Sequence, residues 1–137
     1  MKEFVWPLRV YYEDTDSGGV VYYANYLKFL ERARTEWLRA RGLQQDVLAR
    51  ELGVLFMVRS VELDYRRPAR LDDWLEVRSR VAEVRPASLG FVQAVWRPGG
   101  PGELLCSGRV RVACVDAATL RPRSIPELVL TEIVSGQ

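Results

Sequence analysis

Apolar and polar residues follow two different periods along the chain, and each period predicts a different kind of element. Residues 8–12 form a short β-branched and aromatic run, which predicts a first strand. From about Val21, apolar residues recur at offsets of three and four, which predicts one helix of roughly five turns. The apolar stripe of this helix comprises Tyr23, Tyr26, Leu27, Leu30, Ala33, Trp37 and Leu38.

The rest of the chain has the spacing of strands, apart from a shorter helix predicted at residues 44–52, directly before Gly53. Four β-rich or alternating runs predict four further strands, at residues 54–65, 75–81, 89–96 and 104–116. A turn at residues 85–88 and a loop of proline and glycine at residues 98–102 separate the last three strands. Residues 121–133 contain two prolines and an apolar run whose type the pattern leaves open.

This order of elements predicts an α+β fold for a single domain that covers residues 1–137. An antiparallel sheet would wrap its apolar face around the one long helix. Five twisted strands leave sheet edges open, and an open edge favours pairing with a second copy of the chain.

Composition narrows the function classes. Charged residues make up 28% of the chain with a formal net charge of only +2, which argues against an electrostatic nucleic-acid binder. The N-terminal residues carry charge almost at once, and no apolar run approaches the length of a membrane span, so we expect a cytoplasmic protein. Cys106 and Cys114 lie on one face of a predicted strand, too far apart to bond, and are expected to be buried thiols.

Histidine is absent from the sequence. A Ser-His or Cys-His nucleophile pair and a histidine-based zinc site are therefore excluded. If the chain is a hydrolase that uses no metal, its proton transfers depend on carboxylates.

Two carboxylates precede the long helix within a glycine-rich loop. Asp14 and Asp16 stand just before Gly18 and Gly19, and the helix pattern begins within a few residues. Free N–H groups at a helix N-terminus, together with the helix dipole, suit an anion or a developing oxyanion. A thiol has a pKa of roughly 8.5, so its thiolate leaves readily and needs no dedicated general acid. A carboxylate and such N–H groups therefore suffice for thioester hydrolysis. Aspartates that merely cap the turn are the alternative.

The same spacing of aspartates also begins a calcium-binding loop, but the twelfth position holds Asn25 where that loop needs glutamate. This difference argues against a metal site.

The segment 10–26 resembles the YbgC-like and 4-hydroxybenzoyl-CoA thioesterase branch of the hotdog superfamily. The branch has a hydrophobic strand, then Asp-x-Asp-x-x-Gly-x-Val, two aromatic or histidine positions, a small residue or proline, and Asn/Ser-Tyr. The matching residues here are Asp14, Asp16, Gly19, Val21, Tyr22, Tyr23, Asn25 and Tyr26. Further similarity lies at residues 31–34, 68–73, 115–116 and 122–123, so the resemblance covers nearly the whole chain.

The resemblance implies a hotdog fold and hydrolysis of acyl-CoA to a carboxylic acid and CoA. Asp16 would be the catalytic carboxylate, either as nucleophile or as base for water, and Asp14 its structural partner. The main-chain N–H of Tyr23 would polarise the thioester carbonyl. Several YbgC-like members have histidine at that position. Tyrosine can replace it where the main-chain N–H is the functional group, but not where an imidazole is needed.

Coenzyme A carries three phosphates, and arginine is the cation available to bind them, because 18 of the 20 basic residues are arginine. The resemblance points to Arg85 with Ser88 in the predicted turn, and we add Gly19 and Arg59 as candidate substrate contacts. The other candidate arginines are Arg66, Arg67, Arg121 and Arg123.

We expect no cofactor apart from the CoA of the substrate. The resemblance implies a homodimer or homotetramer whose active sites lie between subunits. Two other roles stay open: a hydratase on the same fold, and a non-catalytic partner of acyl carrier protein or scaffold in a cell-envelope system of the Tol-Pal type.

Overall fold

One five-stranded antiparallel sheet packs against a central helix, which confirms the predicted hotdog architecture. The computed structural model describes residues 2–135. Its strands are ordered β1-β3-β4-β5-β2 across the sheet. In chain order the elements are β1 (Phe4–Arg9), α1 (Tyr26–Arg39), α2 (Gln45–Val47), β2 (Val54–Tyr65), β3 (Trp74–Arg85), β4 (Ser88–Arg97), β5 (Glu103–Asp116) and α3 (Glu127–Ser135).

The first strand lies earlier than predicted. Residues 8–12 were expected to be extended, whereas β1 pairs with β3 from Phe4 to Arg9. Beyond Arg9 the chain leaves the ladder, because the Tyr11 N–H donates to the Asp14 carboxylate at 2.8 Å and begins a tight turn. A strand prediction from residue type alone does not detect such a competing local hydrogen bond.

The long helix is shorter than the predicted five turns and begins later than Val21. A 3₁₀ turn at Tyr23–Asn25 leads into α1, which has 14 residues and therefore about four turns. The Tyr22 N–H donates to the Asp14 carbonyl at 3.1 Å, so the loop fixes the chain before the helix can begin. Tight 3₁₀ turns are common at such helix starts.

The second half of the chain follows the prediction closely. β2 occupies the predicted residues, and β3, β4 and β5 extend theirs by one to a few residues. The predicted short helix consists of α2 and a following π turn at Leu48–Leu52, and it ends at Gly53 in the left-handed region with φ of +69°. The apolar run left open near the C-terminus forms α3.

The core lies between α1 and the sheet. Phe29, Leu30 and Trp37 of α1 are almost fully buried, and the Trp37 ring meets the Phe91 ring of β4 edge-on at 5.1 Å. Burying such side chains contributes about 1.5–3 kcal/mol each. Cys106 and Cys114 are buried and free, as predicted.

A polar chain of hydrogen bonds crosses this core. Gln93 of β4 is fully buried and donates to the Ser79 hydroxyl at 2.9 Å and to the Leu30 carbonyl at 3.1 Å. Its own side-chain oxygen accepts from the Arg34 guanidinium at 3.0 Å. Because each group of Gln93 has a partner, its burial carries little penalty.

The two sheet edges differ. The β1 edge contains Pro7, which cannot donate to an added strand. The β2 edge has twelve residues without proline and exposes Met57, Val58 and Val61. The pairing of β2 with β5 skips Arg59, which forms a bulge between Val58 and Ser60. Among residues 2–135, no helix is long and apolar enough to cross a membrane.

Candidate active site

Asp14 is the anchor of the loop that precedes α1. Its side chain is buried and accepts two hydrogen bonds, from the Tyr11 N–H at 2.8 Å and from the Asn25 amide at 2.9 Å. These bonds tie the start of the loop to the residue directly before α1. The geometry agrees with a structural role for Asp14, and it leaves Asp16 as the accessible carboxylate of the pair.

Asp16 lies at the exposed tip of the same loop, within a closed turn. Its Oδ1 accepts the Gly18 N–H at 2.8 Å, and its carbonyl accepts the Gly19 N–H at 3.1 Å. Gly19 has φ of +77°, a conformation that favours glycine, so its first role is to form the turn. The turn orients the Asp16 carboxylate and leaves its other oxygen available.

The Asp16 carboxylate is electrostatically close to the aromatic pair at the start of the helix. The rings of Tyr22 and Tyr23 have centroids 4.8 Å apart. The pairing of the two hydroxyls raises the pKa of Tyr22, and the negative charge of Asp16 acts in the same direction.

Tyr23 is the first residue of the 3₁₀ turn before α1. The first N–H groups of a helix have no partner within the helix, and within residues 2–135 the Tyr23 N–H has no acceptor. The Tyr65 hydroxyl donates to the Tyr23 carbonyl at 2.9 Å and holds this turn in place. Tyr65 was not among the residues predicted from the sequence, and its position at the end of a strand gave no signal for such a contact.

A cavity of about 230 Å³ adjoins this turn. It is lined by Val21, Tyr23, Tyr26, Tyr65, Arg66, Arg67 and Pro68. Arg66 lies 3.3 Å from the Asp64 carboxylate, and Arg67 lies 3.0 Å from the Glu103 carboxylate. These two of the candidate arginines are thus near Tyr23 in the same chain.

Arg85 and Ser88 lie far from Asp16 within one chain. The Asp16 loop pairs with residues just before β3, whereas Arg85 is the last residue of β3, on the order of 35 Å away along the strand. The Arg85 guanidinium is exposed and bonds the Glu83 carboxylate at 2.9 Å. The Ser88 hydroxyl is buried and accepts from Arg111 at 3.1 Å. One chain therefore does not bring this predicted pair to Asp16.

Arg59 is exposed at the bulge on the β2 edge, and within residues 2–135 it has no ion pair. It too is separate from the Asp16 loop in the single chain. A bulge on an edge strand re-aims a side chain, and Arg59 accordingly lies on the open edge of the sheet.

A second buried feature lies further along α1. Arg34 is only 9% exposed and lines a cavity between α1 and β2. The sequence carried a signal for it, because Arg34 lies four residues after Leu30 on the apolar stripe, where a charged residue is unexpected.

The chain is similar to known proteins along nearly its whole length. The model of the thioesterase-like superfamily matches residues 10–133. The acyl-CoA thioester hydrolase YbgC of Escherichia coli O6:H1 is 46% identical over 129 residues, which cover 94% of each chain. The acyl-CoA thioesterase YbgC of Haemophilus influenzae is 45% identical over 126 residues, covering 92% of this chain and 90% of the relative.

Solved structures agree with the fold. The crystal structure of a probable thioesterase from Bartonella henselae superposes with a TM-score of 0.85 at 32% identity, covering 91% of this chain and 100% of that one. The match of sequence and fold leads to one conclusion: this chain belongs to the thioesterase-like superfamily and is a hotdog-fold relative of the YbgC thioesterases.

Proposed function

We propose that the chain hydrolyses acyl-CoA thioesters, with the Asp16 carboxylate and the Tyr23 N–H as its catalytic groups. The observation that carries this proposal is an exposed carboxylate, fixed by its own turn, beside a helix start whose first N–H is available. The relatives from E. coli and H. influenzae are an acyl-CoA thioester hydrolase and an acyl-CoA thioesterase, which supports the same reaction.

Cleavage of the thioester bond needs the Asp16 carboxylate, the Tyr23 N–H and water. When the thioester carbonyl oxygen accepts a hydrogen bond from the Tyr23 N–H, the carbonyl carbon becomes more electrophilic. One such donor typically stabilises the transition state by about 2.7–4 kcal/mol. Asp16 then acts in one of two ways. It attacks the carbonyl carbon, giving a mixed anhydride that water hydrolyses, or it removes a proton from a water molecule that attacks. In both routes the CoA thiolate leaves and takes up a proton.

The substrate's phosphates need cations at the mouth of the site. Arg66 and Arg67 are the candidates within the chain that carries Asp16, because they line the cavity beside Tyr23. Arg85 and Arg59 are candidates from a second subunit, since neither lies near Asp16 of its own chain. We propose no cofactor beyond the CoA of the substrate.

We further propose that the active unit is a homodimer formed along the β2 edge. This edge is long, free of proline and rich in exposed apolar side chains, whereas Pro7 obstructs the β1 edge. Pairing two β2 strands would join the sheets and bring Arg59 of each subunit to the interface. A monomer by sedimentation that retains full activity would refute this part of the proposal.

We place the reaction in the cytoplasm. Cys106 and Cys114 are both free and buried, which suits a compartment that keeps thiols reduced. Recovery of the protein from an exported fraction of cells would contradict this placement.

The decisive experiment measures thiol release from a panel of short, long and aromatic acyl-CoA substrates and from acyl carrier protein thioesters. The proposal predicts thiol release with at least one acyl-CoA. Loss of the enoyl absorbance of crotonyl-CoA without thiol release would instead identify a hydratase. Binding of acyl carrier protein with no hydrolysis of any thioester would identify a non-catalytic partner.

A further inference from the structure

Helix α1 and the turn before it approach strand β2 at two places, one beside the proposed active site and one further along the helix. At one end, the Tyr65 hydroxyl of β2 meets the Tyr23 carbonyl at the start of the helix. At the other end, Phe56 and Val58 of β2 line a cavity together with Arg34 of α1. The bulge at residue 59 lets apolar side chains on both halves of β2 face the helix.

The cavity at the far end holds about 80 Å³, which is room for more than one water-sized group. Most of its walls are apolar, contributed by Trp37, Leu38, Phe56, Val58, Leu89, Phe91 and Val112. Its polar lining residues are Glu31, Arg34 and Gln45. An apolar cavity with a few convergent polar groups is typical of a small-molecule site.

Arg34 is the unusual member of this lining. It is 9% exposed, and within residues 2–135 its one hydrogen-bond acceptor is Gln93 Oε1, at 3.0 Å. A guanidinium has five N–H donors, so several of them are left to face the cavity. Burial lowers the pKa of Arg34, as expected for a charge removed from water. An acceptor oxygen on a ligand in the cavity would give these remaining donors a partner.

Glu31 decides which kind of oxygen fits. Its carboxylate lies at the cavity wall and accepts from the Thr35 hydroxyl at 3.2 Å. A second carboxylate on the ligand would be attracted by Arg34 but repelled by Glu31. A keto or hydroxyl oxygen accepts from Arg34 without that repulsion.

The separation of Tyr23 and Arg34 along the helix fixes where on the acyl group this oxygen must be. Tyr23 and Arg34 are eleven residues apart, which is about 16 Å along a helix. Helical side chains point toward the N-terminus, so the guanidinium reaches back along this path. An extended chain advances about 1.2 Å per bond, which puts the oxygen about eight to twelve bonds from the thioester carbonyl.

We propose that this cavity binds the far end of the acyl group, and that Arg34 selects acyl groups carrying a neutral oxygen there. The substrate class is then a medium-length oxoacyl or hydroxyacyl thioester. Arg34 acts as a specificity-determining residue, distant from the bond that breaks. The inference rests on the proposed thioesterase function.

The test compares acyl-CoA substrates of equal length that end in a methyl group, a ketone, a hydroxyl or a carboxylate. For the native protein, kcat/KM should be about tenfold or more higher with the ketone or hydroxyl than with the methyl end. Equal or faster hydrolysis of the methyl-ended or carboxylate-ended substrate would overturn the inference and leave the thioesterase function intact. Failure to hydrolyse any of them would count against both.

The variant Arg34→Met should abolish this preference and raise kcat/KM for the methyl-ended substrate, a change that simple destabilisation does not produce. Arg34→Lys keeps a buried donor and should retain part of the preference. Arg32→Met removes an exposed arginine of the same helix and should leave the preference unchanged. An Arg34→Met enzyme that is active and still prefers the oxygen-bearing chain would refute the role of Arg34. If Arg34→Met does not fold, the comparison of substrates on the native protein decides alone.

Discussion

Replacing Asp14 by alanine removes the carboxylate that fastens the catalytic loop to the start of α1. The Asp14 side chain is 5% exposed and accepts hydrogen bonds from the Tyr11 N–H and the Asn25 amide. In Asp14→Ala both donors lose their acceptor. The variant should therefore be less stable, and its loop should no longer hold Asp16 in one position.

The two lost bonds differ in cost. Asn25 is only 7% exposed, so its amide would remain buried without a partner at a cost of about 1–3 kcal/mol. Tyr11 is 64% exposed, so water can replace the acceptor of its N–H, and the loss there is about 0.5–1 kcal/mol. The free energy of unfolding should fall by about 1.5–4 kcal/mol, which for a chain of this size lowers Tm by about 10 °C.

Urea denaturation followed by tryptophan fluorescence, together with a thermal scan, measures this change. Glu13→Ala is the matched control, because Glu13 is an exposed neighbour in the same turn and should unfold like the native protein. If Asp14→Ala unfolds at the same urea concentration as Glu13→Ala, the buried carboxylate is not the anchor that we describe.

Three further outcomes follow from the geometry. Tyr65→Phe removes the bond to the Tyr23 carbonyl and should lower kcat several-fold with little change in the unfolding midpoint, as thiol-release kinetics and urea denaturation would show. Gly108→Ala places a Cβ 1.9 Å from the Glu62 carbonyl, so β2 must move off β5 and stability should fall by about 4 kcal/mol or more in urea denaturation. Dialysis against EDTA should leave kcat unchanged, because a carboxylate and an N–H group supply the chemistry.

Matched control variants distinguish these specific effects on kcat and stability from non-specific effects of a substitution. Tyr12→Phe removes the hydroxyl of a tyrosine that is 82% exposed and should leave kcat unchanged. Ser107→Ala alters the residue before Gly108 without a close approach and should be tolerated. If Tyr65→Phe and Tyr12→Phe have the same kcat, the bond to the Tyr23 carbonyl does not matter for catalysis. Native-like stability of Gly108→Ala would contradict the expected displacement of β2. Activity that EDTA removes and a divalent cation restores would contradict catalysis without a metal.

The elements were predictable where local pattern and packing agree. The strict alternation in β3 and β5 and most of the apolar stripe of α1 describe buried faces, so the existence and type of these elements followed from the sequence. Leu27 and Tyr23 of the stripe are exposed instead. The Asp16 loop was predictable too, because its glycines and aspartates lie next to one another in the sequence.

Other features depend on contacts between distant residues. The shift of β1 and the late start of α1 both result from the bonds that Asp14 makes, which residue types alone do not reveal. The contact of Tyr65 with Tyr23 joins residues 42 apart, and the Arg34–Gln93 bond joins residues 59 apart. The separation of Arg85 from Asp16 follows from the length of β3, which only the paired sheet defines.

The most direct test of the central claim is kcat for the best acyl-CoA substrate in the native protein and in Asp16→Asn. Asparagine keeps an oxygen for the Gly18 N–H, so the turn and the urea midpoint should be unchanged. We predict a fall in kcat of about 10²–10⁴-fold or more. An Asp16→Asn protein that folds normally and hydrolyses acyl-CoA within about tenfold of the native rate, equivalent to only about 1.4 kcal/mol, would contradict the role of this carboxylate.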